Sequence, residues 1–109
     1  MAKPRRTQPA RGKMNKTEQR YYEEVLQPLL HSGQGLDIKF EGLKLRLADK
    51  TFYSPDFIVP TEHCLEIHEV KGHWEDDARV KIKVAAAQFP WMKFIAIQHK
   101  KGQWVTEEF

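Results

Sequence analysis

Cysteine, long apolar runs and the common catalytic motifs are almost absent from this chain of 109 residues. Cys64 is the only cysteine, which excludes an internal disulfide and fits a reducing cytoplasm. No apolar run approaches the ~20 residues of a membrane span, and the basic N-terminal stretch lacks the apolar core of a secretory signal. No glycine-rich phosphate loop and no Ser-His-Asp or Cys-His set is found. We therefore expect a cytoplasmic protein of one domain at most, with no membrane contact and no small-molecule cofactor.

Positive charge is concentrated at one end of the sequence. Residues 1–20 hold a single acid, Glu18, and seven basic side chains, which are Lys3, Arg5, Arg6, Arg11, Lys13, Lys16 and Arg20. This stretch therefore carries +6, and because the whole chain carries +3, the remainder carries −3. Such a basic arm indicates a polyanionic partner, because Lys and Arg neutralise phosphates, although a solvated tail that aids solubility is the alternative. Two prolines, a glycine and no apolar period predict a disordered arm over residues 1–14, followed by a single domain over 15–109.

The first helix is predicted to begin after Asn15. Apolar residues recur there at the spacing of one helix face, at Tyr22, Val25, Leu26, Leu29 and Leu30. Asn15 is a suitable N-cap, and Glu18, three residues on, is suited to the reciprocal bond of a capping box. Pro28 is expected to weaken or kink the last turn.

Four strands and a second helix are predicted downstream. Alternating or apolar runs indicate strands over residues 43–47, 52–59, 64–71 and 92–98. Short links between the first three strands imply an antiparallel meander. The second helix is predicted over 75–89, and a short edge segment is expected around Trp104. The predicted fold is therefore α/β, or α+β in the broad sense, with the order α-β-β-β-α-β and a mixed sheet flanked by helices.

Charged side chains interrupt the two most strand-like segments. Asp56 follows Pro55, which cannot donate to a sheet ladder and so favours an edge or a bulge. Glu69 and Lys71 share one strand face, and antiparallel pairing can bring Asp56 opposite Glu69. Two facing carboxylates repel unless a cation lies between them, and their oxygens suit Mg²⁺, while a nearby lysine can polarise an attacking water. The alternative is that all three are ordinary solvent-facing strand and turn residues.

These residues resemble a known signature. SPDF followed by EVKG is similar to the motif of the PD-(D/E)XK nucleases, with Pro55-Asp56 as the first half and Glu69-Val70-Lys71 as the second. The run from MNKTEQRYYEEVL through YSPDFIV, HEVKGHWEDDARVKIKVAAAQFP and FIAIQ resembles small phage- and prophage-encoded members of this superfamily. The similarity spans roughly residues 14–98. It implies a restriction-endonuclease-like core and metal-dependent hydrolysis of DNA phosphodiester bonds.

The resemblance also implies roles for particular residues. Asp56 and Glu69 would be metal ligands together with the Val70 backbone carbonyl, and Lys71 would position or activate the water. Several relatives, archaeal Holliday-junction resolvases among them, add a glutamate from the first helix, and Glu18 is the matching candidate, with capping as the alternative. The expected cofactor is Mg²⁺, for which Mn²⁺ would substitute. The expected partner is DNA, with branched or nicked forms preferred, and a homodimer fits this picture.

Further basic residues are candidates for nucleic-acid binding. They are Arg79, Lys81 and Lys83 on the second helix and Arg5, Arg6, Arg11, Lys13 and Lys16 in the basic arm. A solvated basic face is the alternative for Lys81. The spacing of the histidines around Cys64 lacks a paired frame for zinc. Two other functions stay open: a DNA-binding or assembly protein of the same fold without turnover, and a nuclease acting on RNA.

Overall fold

The computed structural model describes residues 13–109, which form a mixed sheet, a small hairpin and two helical regions. The first helical region comprises α1 (Lys16–Tyr21), a π-helical segment (Tyr22–Leu26) and α2 (Gln27–His31), and the second is α3 (Asp76–Gln88). The strands are β1 (Lys39–Phe40), β2 (Leu45–Ala48), β3 (Thr51–Tyr53), β4 (Phe57–Pro60), β5 (Leu65–Lys71), β6 (Met92–Lys100) and β7 (Gln103–Glu108). No helix in this described part is long and apolar enough to cross a membrane. Arg5, Arg6 and Arg11, predicted to bind nucleic acid, lie outside the described residues, as does most of the predicted disordered arm.

The capping box predicted at the start of the first helix is confirmed. The Glu18 amide donates to Asn15 Oδ1 at 2.8 Å, and the Asn15 amide donates to Glu18 Oε1 at 2.9 Å. The irregularity expected at Pro28 takes the form of the π-helical segment, in which the Gln27 amide donates to the Tyr22 carbonyl five residues earlier. Because proline has no N–H and its ring crowds the preceding turn, a widened turn before Pro28 accommodates it within a continuous helix.

The main sheet has the strand order β1-β4-β5-β6-β7. All its neighbouring pairs are antiparallel except β5 and β6, which are parallel. Helix α3 supplies the crossover that a parallel pair requires. The edge segment expected near Trp104 is confirmed as β7, which pairs with β6.

Both faces of the sheet are covered. One face packs against α3 and the β2–β3 hairpin, around a core that includes Ile58, Ile67, Ile82 and Phe94. The other face packs against the first helical region, around Tyr21, Leu26, Phe57, Val59, Val70 and Ile97. Central strands that are buried on both faces are apolar on both sides of the pleat, and for this reason residues 94–97 in the middle of β6 are all apolar.

The broad α+β class is confirmed, but the predicted meander is wrong in its strand arrangement. The segment predicted as one strand over 52–59 is two strands, β3 and β4, separated by Ser54, Pro55 and Asp56. Strand β3 pairs only with β2, in a hairpin separate from the main sheet, and β4 instead has β1 as its outer neighbour. Pro55 explains the break, because a residue without an N–H interrupts the hydrogen-bonded ladder.

Candidate functional site

The site lies at the start of β4, where β5 continues past it. Pairing between these strands begins at Phe57 and His68, so Glu69, Val70 and Lys71 extend beyond the first residue of β4 and, among residues 13–109, pair only with β6. The edge of β5 left open in this way faces the Pro55-Asp56 segment. The Asp56 side chain replaces a neighbouring strand as the hydrogen-bond acceptor at this edge, since the Val70 amide donates to Asp56 Oδ2 at 2.8 Å. A break in strand pairing therefore turns a carboxylate onto the neighbouring strand.

The three residues of the sequence signature lie together at this point. Asp56 and Glu69 are 8% and 6% exposed. The Asp56 amide donates to Glu69 Oε1 at 3.3 Å, and Lys71 Nζ lies 3.2 Å from Glu69 Oε2. The Lys71 side chain is 36% exposed, so the ammonium lies between the buried carboxylates and solvent.

Tyr53 is a fourth member that the sequence reasoning missed. This tyrosine, at the end of β3, is 5% exposed, and its hydroxyl donates to Glu69 Oε1 at 2.8 Å. Two bonds from α3 hold the hairpin in place, from Lys81 Nζ to the Phe52 carbonyl at 3.0 Å and from Gln88 Nε2 to the Leu47 carbonyl at 2.9 Å. The only sequence signal for Tyr53 was its position directly before Ser-Pro-Asp.

Glu18 approaches the same cluster from α1. It is 8% exposed, and its negative charge raises the pKa values of both Asp56 and Lys71. Its Oε1 accepts the capping bond from Asn15, whereas its Oε2 accepts no hydrogen bond from residues 13–109. The capping role and a place beside the site are therefore compatible in one side chain.

The electrostatics of the cluster are those of like charges held out of water. Burial, followed by the charge of Glu69, raises the pKa of Asp56 to about 8, although the Val70 amide and Lys71 oppose this. Burial also raises the pKa of Glu69, against the opposing effects of Lys71 and Tyr53. For Lys71, burial lowers the pKa of the ammonium, but the Glu69 and Asp56 carboxylates outweigh this effect and raise it. The pair of carboxylates therefore requires a proton or a further cation, while Lys71 stays charged.

The donor set is suited to a hard cation. Within residues 13–109, no three side chains of His, Cys, Asp or Glu converge closely enough to hold a metal ion by themselves. What is available is Glu69 and Asp56, whose Oδ1 accepts no hydrogen bond from the described chain although the residue is buried. The amide and carbonyl of one strand residue point to the same neighbouring strand, so the Val70 carbonyl also faces the open edge. Mg²⁺ takes one or two carboxylates and keeps several waters, and these oxygens fit it.

The predicted basic residues of α3 have partners within the protein. Arg79 binds Glu107 of β7 through two nitrogens at 2.9 and 3.0 Å, and Lys81 holds the hairpin as described above. Lys83 is exposed. Their binding to nucleic acid stays a prediction, with Lys83 the least engaged of the three. Lys13 and Lys16, in contrast, are exposed at the start of the first helix.

The histidine next to the signature lies away from the carboxylates. His68 is 5% exposed on the opposite face of β5, where its Nδ1 lies 2.6 Å from the Tyr21 hydroxyl and its Nε2 2.9 Å from Glu66. Successive residues of a strand point to opposite faces of the sheet, so His68 lies away from the neighbouring Glu69. The buried Tyr21–His68 bond fixes α1 against β5 and so helps to place Glu18.

The chain finds no match among protein-family models, curated proteins or solved structures. The features that bear on function are therefore those of the site itself. They are a buried pair of carboxylates, a lysine that contacts one of them, and an open strand edge between two covered faces of a mixed sheet.

Proposed function

We propose that this protein is a Mg²⁺-dependent endonuclease that hydrolyses phosphodiester bonds in DNA. The observation that carries the proposal is the buried Asp56–Glu69 pair with the Lys71 ammonium 3.2 Å from Glu69. Burial raises the pKa of both carboxyls, and the charge of Glu69 raises that of Asp56 further, so the pair is costly without a compensating cation. Such perturbation concentrates at functional sites. The same three residues make up the PD-(D/E)XK signature in the sequence.

The arrangement of elements around the site supports a restriction-endonuclease-like core. A helix precedes the antiparallel pair β4–β5, and α3 then leads into β6, which runs parallel to β5. With β1 counted as the first of three antiparallel strands, and with the β2–β3 hairpin and β7 regarded as additions, these elements are compatible with the predicted order. Strand β5, which carries Glu69 and Lys71, is the central strand of the five-stranded sheet, where a strand on each side restricts its movement.

The metal would be held by Asp56, Glu69 and the Val70 carbonyl, and Glu18, whose charge acts on Asp56 and Lys71, is the candidate for a further ligand. When bound, Mg²⁺ would supply Lewis acidity toward the phosphodiester and lower the pKa of an attacking water. The residues fit this role, because a divalent cation removes the repulsion between the carboxylates and restores their ionised forms. Tyr53 and the Asp56 amide, which both donate to Glu69 Oε1, would fix the direction of that carboxylate.

Lys71 would act on the water and on the phosphate. An ammonium has three donors, and Glu69 engages one of them, so others are available toward solvent at the mouth of the site. Placed there, the ammonium would orient the attacking water and offset negative charge that develops on the phosphate oxygens. Its raised pKa keeps it charged at neutral pH, so it acts through charge and orientation.

A nucleic acid is the substrate class that the charge distribution favours, and the resemblance to the PD-(D/E)XK nucleases favours DNA. The +6 of residues 1–20 supplies an attraction for backbone phosphates that does not depend on sequence. A domain of this size has little room for elements that read base edges, so shape and backbone contacts would determine its preference for branched or nicked forms.

Cleavage assays on purified protein test the proposal. Supercoiled plasmid, branched DNA, nicked DNA and an RNA of matched sequence are incubated with Mg²⁺, with Mn²⁺ and with EDTA. We expect metal-dependent cutting of DNA that Asp56→Ala and Lys71→Ala reduce by about 100-fold or more, whereas the exposed control Asp49→Ala cuts normally. If both site variants cut as well as the wild type, the site assignment is wrong. Metal-independent binding without cleavage of any substrate would support the non-catalytic alternative, and selective cleavage of RNA the other.

A further inference from the structure

A basic pocket lies between the first helical region and the end of β6. It has a volume of about 280 Å³, and it is lined by Lys16, Thr17, Arg20 and His99. Within residues 13–109, no acidic side chain pairs with Lys16 or His99, and Arg20 makes one exposed ion pair, with its Nε 3.6 Å from Glu24. Two cations, a hydroxyl and an imidazole therefore share one concave surface.

Arg20 and His99 of this pocket are linked through contacts with Glu24 and Trp104. Glu24 is 3.6 Å from Arg20 through Oε2 and accepts a hydrogen bond from Trp104 Nε1 on Oε1 at 3.0 Å. The Trp104 ring in turn contacts the His99 ring, with 4.5 Å between centroids. Glu24 thus contacts the guanidinium directly and, through Trp104, borders the imidazole, and no side chain within residues 13–109 bonds to the terminal nitrogens of Arg20.

The pocket adjoins the candidate active site. Thr17 Oγ1 lies 3.9 Å from the position that a Cβ would take on Gly72, the residue after Lys71. Gln98, next to His99, donates from Nε2 to the Gly72 carbonyl at 3.2 Å. The main-chain amides of Glu18 and Gln19 are already bound to Asn15, so the pocket depends on its side chains and not on the start of the helix.

We propose that Lys16, Thr17, Arg20 and His99 bind a backbone phosphate of the DNA strand that is cut, next to the phosphate at which Lys71 acts. This inference rests on the proposed nuclease function and names where its substrate is held. Guanidinium and ammonium groups make charge-assisted hydrogen bonds to phosphate, and the Thr17 hydroxyl and His99 ring add directional donors. Five further basic residues precede Lys16 in the sequence and add to the attraction for backbone phosphates.

Steady-state kinetics and equilibrium binding on the full chain test the pocket. Arg20→Ala should raise KM and the DNA dissociation constant roughly tenfold, with kcat within about twofold of the wild type. The slope of log binding constant against log salt concentration should decrease in magnitude by about one. The matched control is Arg46→Ala, because Arg46 is similarly exposed, at 63%, and also makes one exposed ion pair, 3.5 Å from Asp49. Lys16→Ala should behave as Arg20→Ala does.

These outcomes separate the pocket from the nuclease proposal. If the wild type cleaves and Arg20→Ala matches Arg46→Ala in KM and salt dependence, the pocket is not a phosphate subsite, and the nuclease proposal stands. If the wild type binds DNA without cleaving it, the nuclease proposal fails, and loss of affinity in Arg20→Ala still supports a phosphate site. If kcat falls with KM unchanged, Arg20 does not act by holding the strand, and the inference is wrong.

Nuclear magnetic resonance of the histidine rings distinguishes the source of the phosphate. In the Lys71→Ala background, which prevents cutting, we expect a short oligodeoxynucleotide to shift the His99 ring signals and Arg20→Ala to abolish the shift. Orthophosphate should shift the same signals only at much higher concentration. If orthophosphate moves them and the oligonucleotide does not, the pocket binds a free anion, and its assignment to the DNA strand is refuted.

Discussion

Replacing Asp56 by asparagine removes one of two buried like charges, and the metal-free protein should become more stable at neutral pH while it loses cleavage. The comparison is clean because the side-chain oxygen of an asparagine can still accept the Val70 N–H bond that Asp56 Oδ2 accepts at 2.8 Å. The substitution therefore tests charge and leaves the local hydrogen bond in place. Its effect depends on pH in a direction that the structure determines.

The magnitude follows from the pKa of Asp56, which is about 8 in the folded protein against an ordinary 3.8. At pH 7 the folded state holds this carboxyl largely protonated, whereas the unfolded chain ionises it freely. The interval from the ordinary pKa of 3.8 to pH 7 is about 3 pH units, and at about 1.4 kcal/mol for each unit it corresponds to a destabilisation on the order of 4 kcal/mol. Because the folded pKa of an acid is raised, stability is complete below about pH 4 and is lost as the pH rises toward 8.

The assay is urea unfolding in EDTA at about pH 4.5 and about pH 8, for the wild type and Asp56→Asn. The variant should gain several kcal/mol over the wild type at the higher pH and little at the lower. The control Asp49→Asn, whose side chain is 84% exposed, should stay within about 0.5 kcal/mol of the wild type at both. Added Mg²⁺ should stabilise the wild type more than the variant. If the difference between wild type and variant is the same at both pH values, the buried carboxylates do not repel, and the argument for a cation fails.

Three further substitutions test individual contacts. Tyr53→Phe removes the donor to Glu69, so the pKa of that carboxyl should rise, and the acid limb of the pH–rate profile should move to higher pH with an about tenfold loss of kcat/KM. Tyr21→Phe leaves the buried His68 nitrogen without its partner and should reduce the free energy of unfolding by about 1–3 kcal/mol in urea. Glu18→Gln keeps an oxygen for the helix cap, so unfolding should change little while cleavage falls at least about tenfold; unchanged cleavage would restrict Glu18 to capping.

Much of the local structure could be predicted from residue patterns. The capping box at Asn15, the end of α3 before Pro90 and the strand containing Glu69 and Lys71 depend on neighbours within a few positions, and such signals are present in the sequence itself. An edge or bulge at Pro55 was predicted for the same reason, whereas the complete break between β3 and β4 was not predicted. The bounds of these elements differ from the predictions by a residue or two.

The strand arrangement could not be predicted in the same way. The residues from Phe52 to Val59 are apolar enough for one strand, and no local signal indicates that the first part pairs with β2 in a separate hairpin. Pairing depends on which apolar faces can be buried together, and this is decided by packing between distant segments. The contact of Tyr53 with Glu69 could not be predicted because the two residues are sixteen positions apart, and the hairpin is what brings the tyrosine to the carboxylate.

The amino-acid sequence by itself determined which chemistry was available: two carboxylates and a lysine at strand ends, with a basic arm before them. Only the tertiary structure decided that β4 begins at Phe57, so that the Asp56 side chain accepts the Val70 N–H bond and lies beside Glu69. It also decided that Glu18 comes close from α1 and that Arg20 shares a pocket with His99. The physical reason is that periodicity encodes helices and strands locally, whereas burial and mutual repulsion arise only when distant segments pack together.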